Sequence, residues 1–201
     1  AKANGDSWTK PERLPKQINT VYHEASASFS YDGKSIFFVS DKPGGLGGHD
    51  IYTSSIDAKG RWSEPVNMGS VINSPYEEIS VFAHPDGKTL YFSSNGHKNM
   101  GGYDIFKSTF DNGVWTEPVN IGYPISTTDD DVFFVISASG RRAYYSSAKD
   151  GGIGGQDLYV ITFLGPEKLF VMNGEDNLLA NKTNPIREKF VAPEVKIEET
   201  S

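Results

Sequence analysis

The stretch Ser30-Tyr31-Asp32-Gly33-Lys34-Ser35-Ile36-Phe37-Phe38-Val39-Ser40, continued by Asp41-Lys42-Pro43-Gly44-Gly45-Leu46-Gly47-Gly48-His49-Asp50-Ile51-Tyr52, decides the fold. An Asp-Gly turn leads into a short apolar run, a glycine-rich loop, and a second apolar run that opens on an acid. Asp-Gly beside runs rich in Ile, Phe and Val is a hairpin signal. The same order returns twice. The turn reads Asp32-Gly33-Lys34, Asp86-Gly87-Lys88 and Ser139-Gly140-Arg141. The acid after paired glycines returns as Asp50, Asp104 and Asp157. A tryptophan-proline step returns as Trp8 with Pro11, Trp62 with Pro65, and Trp115 with Pro118. Each set is spaced by 54 and then 53 residues. Three separate markers on one period define an internal repeat.

Each block reads as four strands. The first covers 25–29, 79–83 and 132–136. The second is Ser35–Ser40, Thr89–Ser94 and Arg142–Ser147. The third covers 51–55, 105–109 and 158–162, and a fourth covers 62–68 and 115–121. Four meandering strands per period of about 54 residues make a β-propeller blade, which buries its faces only by stacking on its neighbours. The fold class is therefore all-β, with three blades visible over residues 1–165. The turn Asp57-Ala58-Lys59-Gly60-Arg61 before Trp62, and its shorter copy Asp111-Asn112-Gly113 before Trp115, resemble an Asp-box hairpin. There the carboxylate accepts backbone N–H groups and glycine takes positive φ.

The chain opens inside a blade, since residues 4–8 form the end of such a turn. Three periods fall short of the four to eight blades of a propeller. Either further blades precede in a longer chain, giving six or seven in all, or two copies pair to make six. The mid-blade start favours the longer chain. Residues 166–201 carry only two aromatics, Phe170 and Phe190. They read as an extended linker towards a further domain. A docking segment using Phe170, Phe190, Val195 and Ile197 is the alternative.

Composition narrows the function. The 201 residues carry a net charge of −7 with few arginines, which disfavours nucleic acid as a partner. No run of 18 apolar residues exists to span a membrane as a helix. Cysteine is absent, so thiolate metal sites and cysteine nucleophiles are excluded. The 25 aromatics argue against wholesale disorder. The four histidines have no zinc spacing, and the glycine-rich loops lack the spacing of a phosphate cradle. No GxSxG elbow occurs. The reading assigns no catalytic residue, cofactor or metal. The repeated acids Asp32, Asp86, Asp50, Asp104, Asp157, Glu24, Glu78 and Asp131, with Trp8, Trp62 and Trp115, are expected to serve the blade itself. A residue repeated in every blade commonly caps a turn or receives backbone N–H groups. The cluster Thr127-Thr128-Asp129-Asp130-Asp131 is expected to be a solvated turn.

The 30–52 block and its two copies resemble the WD-repeat-like, TolB-type propeller of OmpA-family outer-membrane proteins from gliding bacteria with type IX secretion. Residues 169–180 are similar to the segment that follows the propeller in that family. Ser139 and Asp150 depart from the pattern, in turns that tolerate them. The resemblance implies a non-enzymatic periplasmic scaffold associated with the outer membrane. Its partners would be envelope proteins, engaged through a propeller face or the tail. Peptidoglycan would be reached only through a domain not contained in these residues. A glycan or peptidoglycan-fragment binding module is the alternative, and a propeller hydrolase is a more distant one.

Overall fold

The computed structural model describes residues 3–4 and 7–164. Among these, regular structure is entirely β. A two-residue hairpin of β1 (Ala3–Asn4) and β2 (Ser7–Trp8) precedes the blades. The first blade is β3 (Glu24–Phe29), β4 (Ser35–Ser40), β5 (Asp50–Ser55) and β6 (Val66–Asn67), paired antiparallel in that order. The second is β7 (Glu78–Ala83), β8 (Thr89–Ser94) and β9 (Asp104–Asp111), whose outer edge carries both β10 (Val114–Trp115) and β11 (Val119–Asn120). The third is β12 (Asp131–Ile136), β13 (Arg142–Ser147) and β14 (Asp157–Thr162).

Register repeats with sequence. The pair Ser40↔Asp50 of the first blade returns as Ser94↔Asp104 and Ser147↔Asp157. Each first strand carries a bulge near its start, between Ala25 and Ala27, Glu78 and Ser80, and Val132 and Val135. The bulge sets Ser26 and Phe133 at positive φ, a feature no propensity rule anticipates.

The fourth strand is where sequence reading and structure part. A continuous strand is expected over 62–68 and 115–121. Instead the tryptophan joins the preceding hairpin, at the bridge Ile56↔Trp62 and the pair Trp115↔Phe110, and strand pairing resumes only at Val66 and Val119. Pro65 and Pro118 sit in the gap and have no N–H to give a ladder. The two turns before the tryptophan also differ. Asp57 accepts N–H groups from Lys59 and Arg61 at 2.8 and 2.9 Å. The shorter copy instead places Asn112 and Gly113 at positive φ, as a two-residue hairpin turn requires.

The core lies between blades. Val39 and Ile51 of the first blade pack with Ile72, Val81, Leu90, Phe92 and Phe106. Ile105 of the second packs with Ile125, Phe134, Ala143 and Tyr145. On the other side of the first blade, Ile36, Phe38 and Tyr52 are covered by Ile18, with Leu14 and Trp62 alongside. Ile18, Ile72 and Ile125 are equivalent residues of successive connectors, so each connector wedges one isoleucine into a blade face. Hydroxyls join neighbouring first strands. Ser26 and Ser28 Oγ accept the N–H groups of Val81 and Ala83, both at 3.0 Å, and Ser80 Oγ accepts that of Phe133 at 3.3 Å.

Candidate functional site

Registers Glu24↔Ser40↔Asp50 bring the starts of the first and third strands to one end of each blade. The glycine-rich loops and the blade connectors gather there. In each loop the acid that opens the third strand folds the loop back on itself. Asp50 accepts the N–H groups of Leu46 and Gly47, at 2.5 and 3.1 Å. Asp104 accepts that of Met100, and Asp157 accepts those of Ile153 and Gly154, at 2.7 and 3.3 Å. Asn67 and Asn120 brace the first two carboxylates from the outer strand, at 3.0 and 2.9 Å.

A rim follows from this. Leu46, Met100 and Ile153 are equivalent residues, and their N–H groups are held by the equivalent acid. Their side chains are exposed, at 42%, 49% and 101%. Tyr22 and Tyr76, equivalent residues of the connectors at the same end, are exposed as well. The rim is hidden in the sequence because Leu46, Met100 and Ile153 differ in type and stand four positions before the conspicuous repeated acids. The spacing of 54 and 53 was there to find it.

Connectors and loops interlock tightly. Gly48 N–H donates to Tyr76 O at 2.7 Å, and a Cβ at Gly47 would lie 1.8 Å from that same oxygen. A Cβ at Gly101 would lie 2.3 Å from the Thr128 carbonyl carbon. Three acids begin the first strands. Each accepts the N–H and hydroxyl of the residue four before it: Glu24 from Thr20, Glu78 from Ser74, and Asp131 from Thr127. Burial pushes the Glu78 carboxyl up to about 7, against the bonds from Ser74 and Ser94. Asp131 is wholly buried, whereas Thr128 is exposed and Thr127, Asp129 and Asp130 are half-buried, so the expected solvated turn holds for the cluster up to its last acid and not at Asp131. Its backbone N–H donates to Tyr103 O, which draws the end of the cluster into the blade junction.

The turns at the opposite end hold their acids differently. Asp32 accepts from Ser30 Oγ and Lys34 N–H, and the serine bond leads in lowering its carboxyl. At Asp86 burial opposes ionisation, but bonds from Lys88 and Thr89 carry the carboxyl below its usual range. The tryptophans are not alike. Trp115 packs on the core between the first two blades, edge-on to Phe37 at 6.2 Å. Trp62 lies against the outer face of the first blade and near Phe29. Trp8 is exposed. A groove of about 480 Å³ runs between the first two blades, edged by Tyr31, Asp32, His84, Lys88, Phe110 and Trp115. Its counterpart beside Trp62, about 750 Å³, is edged by Arg13, Gln17, Asp57 and Arg61. No three His, Asp or Glu converge as metal ligands among the described residues. Phe170, Phe190, Val195 and Ile197 lie outside the described residues, as does the 166–201 segment they belong to.

No family model and no curated protein matches this chain. Among solved structures it is similar to TolB from Acinetobacter baumannii, at 20% identity and a TM-score of 0.46, over 68% of this chain and 29% of that one. It is also similar to a protein described as TolB from Agrobacterium tumefaciens, at 19% identity and a TM-score of 0.46, over 70% of this chain and 44% of the other. A puromycin hydrolase matches at 11% identity and a TM-score of 0.40, over 70% and 27%. The chain thus spans less than half the length of each.

Proposed function

We propose that this chain is the docking part of a non-enzymatic protein-interaction scaffold. The observation that supports it best is the rim of Leu46, Met100 and Ile153, one exposed apolar side chain per blade, each set by a buried or half-buried carboxylate. A rigid frame presenting matched loop tips suits a protein partner, because rigid loops lose little entropy on binding. The resemblance of residues 30–52 and their copies to OmpA-family propellers adds the setting. The scaffold works in the periplasm at the outer membrane, with envelope proteins of type IX secretion or gliding as partners. Any hold on peptidoglycan belongs to another domain.

The repeated acids favour this over catalysis. Asp50, Asp104, Asp157, Glu24, Glu78 and Asp131 all spend carboxylate oxygens on N–H or hydroxyl donors of their own loops. The aromatic-edged groove between the first two blades favours a second reading, a glycan-binding module. Crosslinking pull-downs from an envelope extract separate the two. Envelope proteins should be captured by the chain and lost when Leu46, Met100 and Ile153 are changed together to serine. Capture unaffected by that change, or reproducible binding on a glycan array abolished by Trp115→Ala, would overturn the scaffold reading.

A further inference from the structure

The two blade junctions are built to the same plan, with one difference at their centres. At the first, Asp50 faces Glu78. Every carboxylate oxygen there has a donor: Leu46, Gly47 and Asn67 serve Asp50, while Ser74 and Ser94 serve Glu78. Beside them Asn73 fills the space, bonding Ile51 twice and Asn67 once. At the second junction the equivalent residues are Asp104, Asp131 and Ser126. Glutamate has lost a methylene and asparagine has become serine, so the side chains at this one spot are shorter by three heavy atoms.

The oxygens there are left over. Asp104 Oδ2 accepts from Met100 and Asn120, and Asp131 Oδ2 accepts from Thr127. Asp104 Oδ1 and Asp131 Oδ1 are buried and make no hydrogen bond of normal geometry, the Gly101 N–H interacting only weakly with the Asp104 carboxylate. Both residues are 0% exposed, and the two strand starts are tied together by the Asp131 N–H bond to Tyr103 O at 2.6 Å. Among the described residues neither carboxylate has an ion pair. Two buried anions with unused oxygens are costly unless a cation joins them.

We propose that the junction of the second and third blades is a cation site, in which Asp104 Oδ1 and Asp131 Oδ1 hold one calcium-type ion. The donors at hand are all hard oxygens. Ser147 pairs in register with Asp131, and Ser126 Oγ takes the Ile105 N–H beside Asp104. Carboxylates, hydroxyls, carbonyls and water suit Ca²⁺, not a soft metal. With two carboxylates the affinity falls in the weak range of extracellular modules, a Kd of about 10⁻⁴–10⁻³ M. The first junction has no such site, because Glu78 and Asn73 occupy it.

Thermal unfolding and isothermal titration of the EDTA-stripped 201-residue chain test this. About 10 mM CaCl₂ should raise Tm by about 3–10 °C, with one site by titration. Asp131→Asn should abolish both responses. Should that variant fail to fold, the double change Asp131→Glu with Ser126→Asn rebuilds the first junction. It should fold, keep its Tm in EDTA, and ignore Ca²⁺. No Ca²⁺ response in the unaltered chain, or an undiminished one in the double variant, overturns the proposal.

Discussion

At Asp50 one carboxylate decides how a whole loop lies, and the bonds that do it are charge-assisted. Hydrogen bonds to ionised groups contribute roughly 1.5–3 kcal/mol each. Asp50→Ala leaves the N–H groups of Leu46 and Gly47 and the Asn67 amide without their acceptor. It should cost about 3 kcal/mol or more, read as a drop in urea midpoint. Glu78 gives a pH signature. Burial chiefly, and the Asp50 like charge to a lesser degree, set its folded carboxyl at about 7, above the unfolded value of 4.5. A group raised on folding binds its proton more tightly when folded. Its contribution is therefore full below 4.5 and is lost as pH rises through 7. Between pH 5 and 8 the chain should lose roughly 3 kcal/mol from this residue. Glu78→Gln should flatten that slope in denaturation curves measured across the range. Asp32, Asp57 and Asp86 are shifted the other way. Their contributions vanish only as pH falls below 3.8, outside this window. The sequence marked the repeated acids by period alone. It could not rank them, because burial and unused oxygens depend on which side chains two blades bring together.

Elements were legible to the extent that local chemistry sets them. The second strands, Ser35–Ser40, Thr89–Ser94 and Arg142–Ser147, coincide with the expected bounds, since alternation and a preceding tight turn are local signals. The third strands begin one residue earlier than expected, at the acids, because register pairing with Ser40, Ser94 and Ser147 reaches that far. The fourth strand is shorter than the sequence predicts, because Pro65 and Pro118, which mark the repeat, also break the ladder ahead of Val66 and Val119. Loop and connector meet where only glycine fits. Gly47→Ala would set a methyl against Tyr76 O, at a separation no real Cβ shows. It should cost about 1–3 kcal/mol or more, as overpacked sites do. Gly33→Ala meets nothing within 4 Å but must hold φ at +66°, and should cost about 1 kcal/mol. Comparing the two by thermal melts separates crowding from backbone strain.

For the molecule, position within the array matters more than residue type. Ile51, Ile105 and Leu158 are equivalent, yet the first two are wholly buried while Leu158 is 87% exposed. Val135, Tyr144 and Val160 share its exposed sheet. Ile51→Ala or Ile105→Ala should therefore cost about 2–5 kcal/mol. Leu158→Ala should change unfolding free energy by less than about 0.5 kcal/mol. Equal costs at all three would mean that the third blade's outer face is covered in solution. The sequence predicted equivalence, which is correct for conformation. It carried no statement of burial, which depends on what stands next to each blade.

The seam between first strands has a geometric consequence. A backbone ladder fixes neighbouring strands at about 4.8 Å and a narrow twist. Here serine hydroxyls reach across to the next strand's N–H groups, and a hydroxyl can pivot about χ1. The spacing of the first strands along this seam is thus set by side chains, while backbone bonds such as Glu78 N–H to His49 O and Asp131 N–H to Tyr103 O tie each blade to the next where the first strands begin. Small adjustments along the seam therefore fall to serine rotamers and leave the ladders within each blade intact.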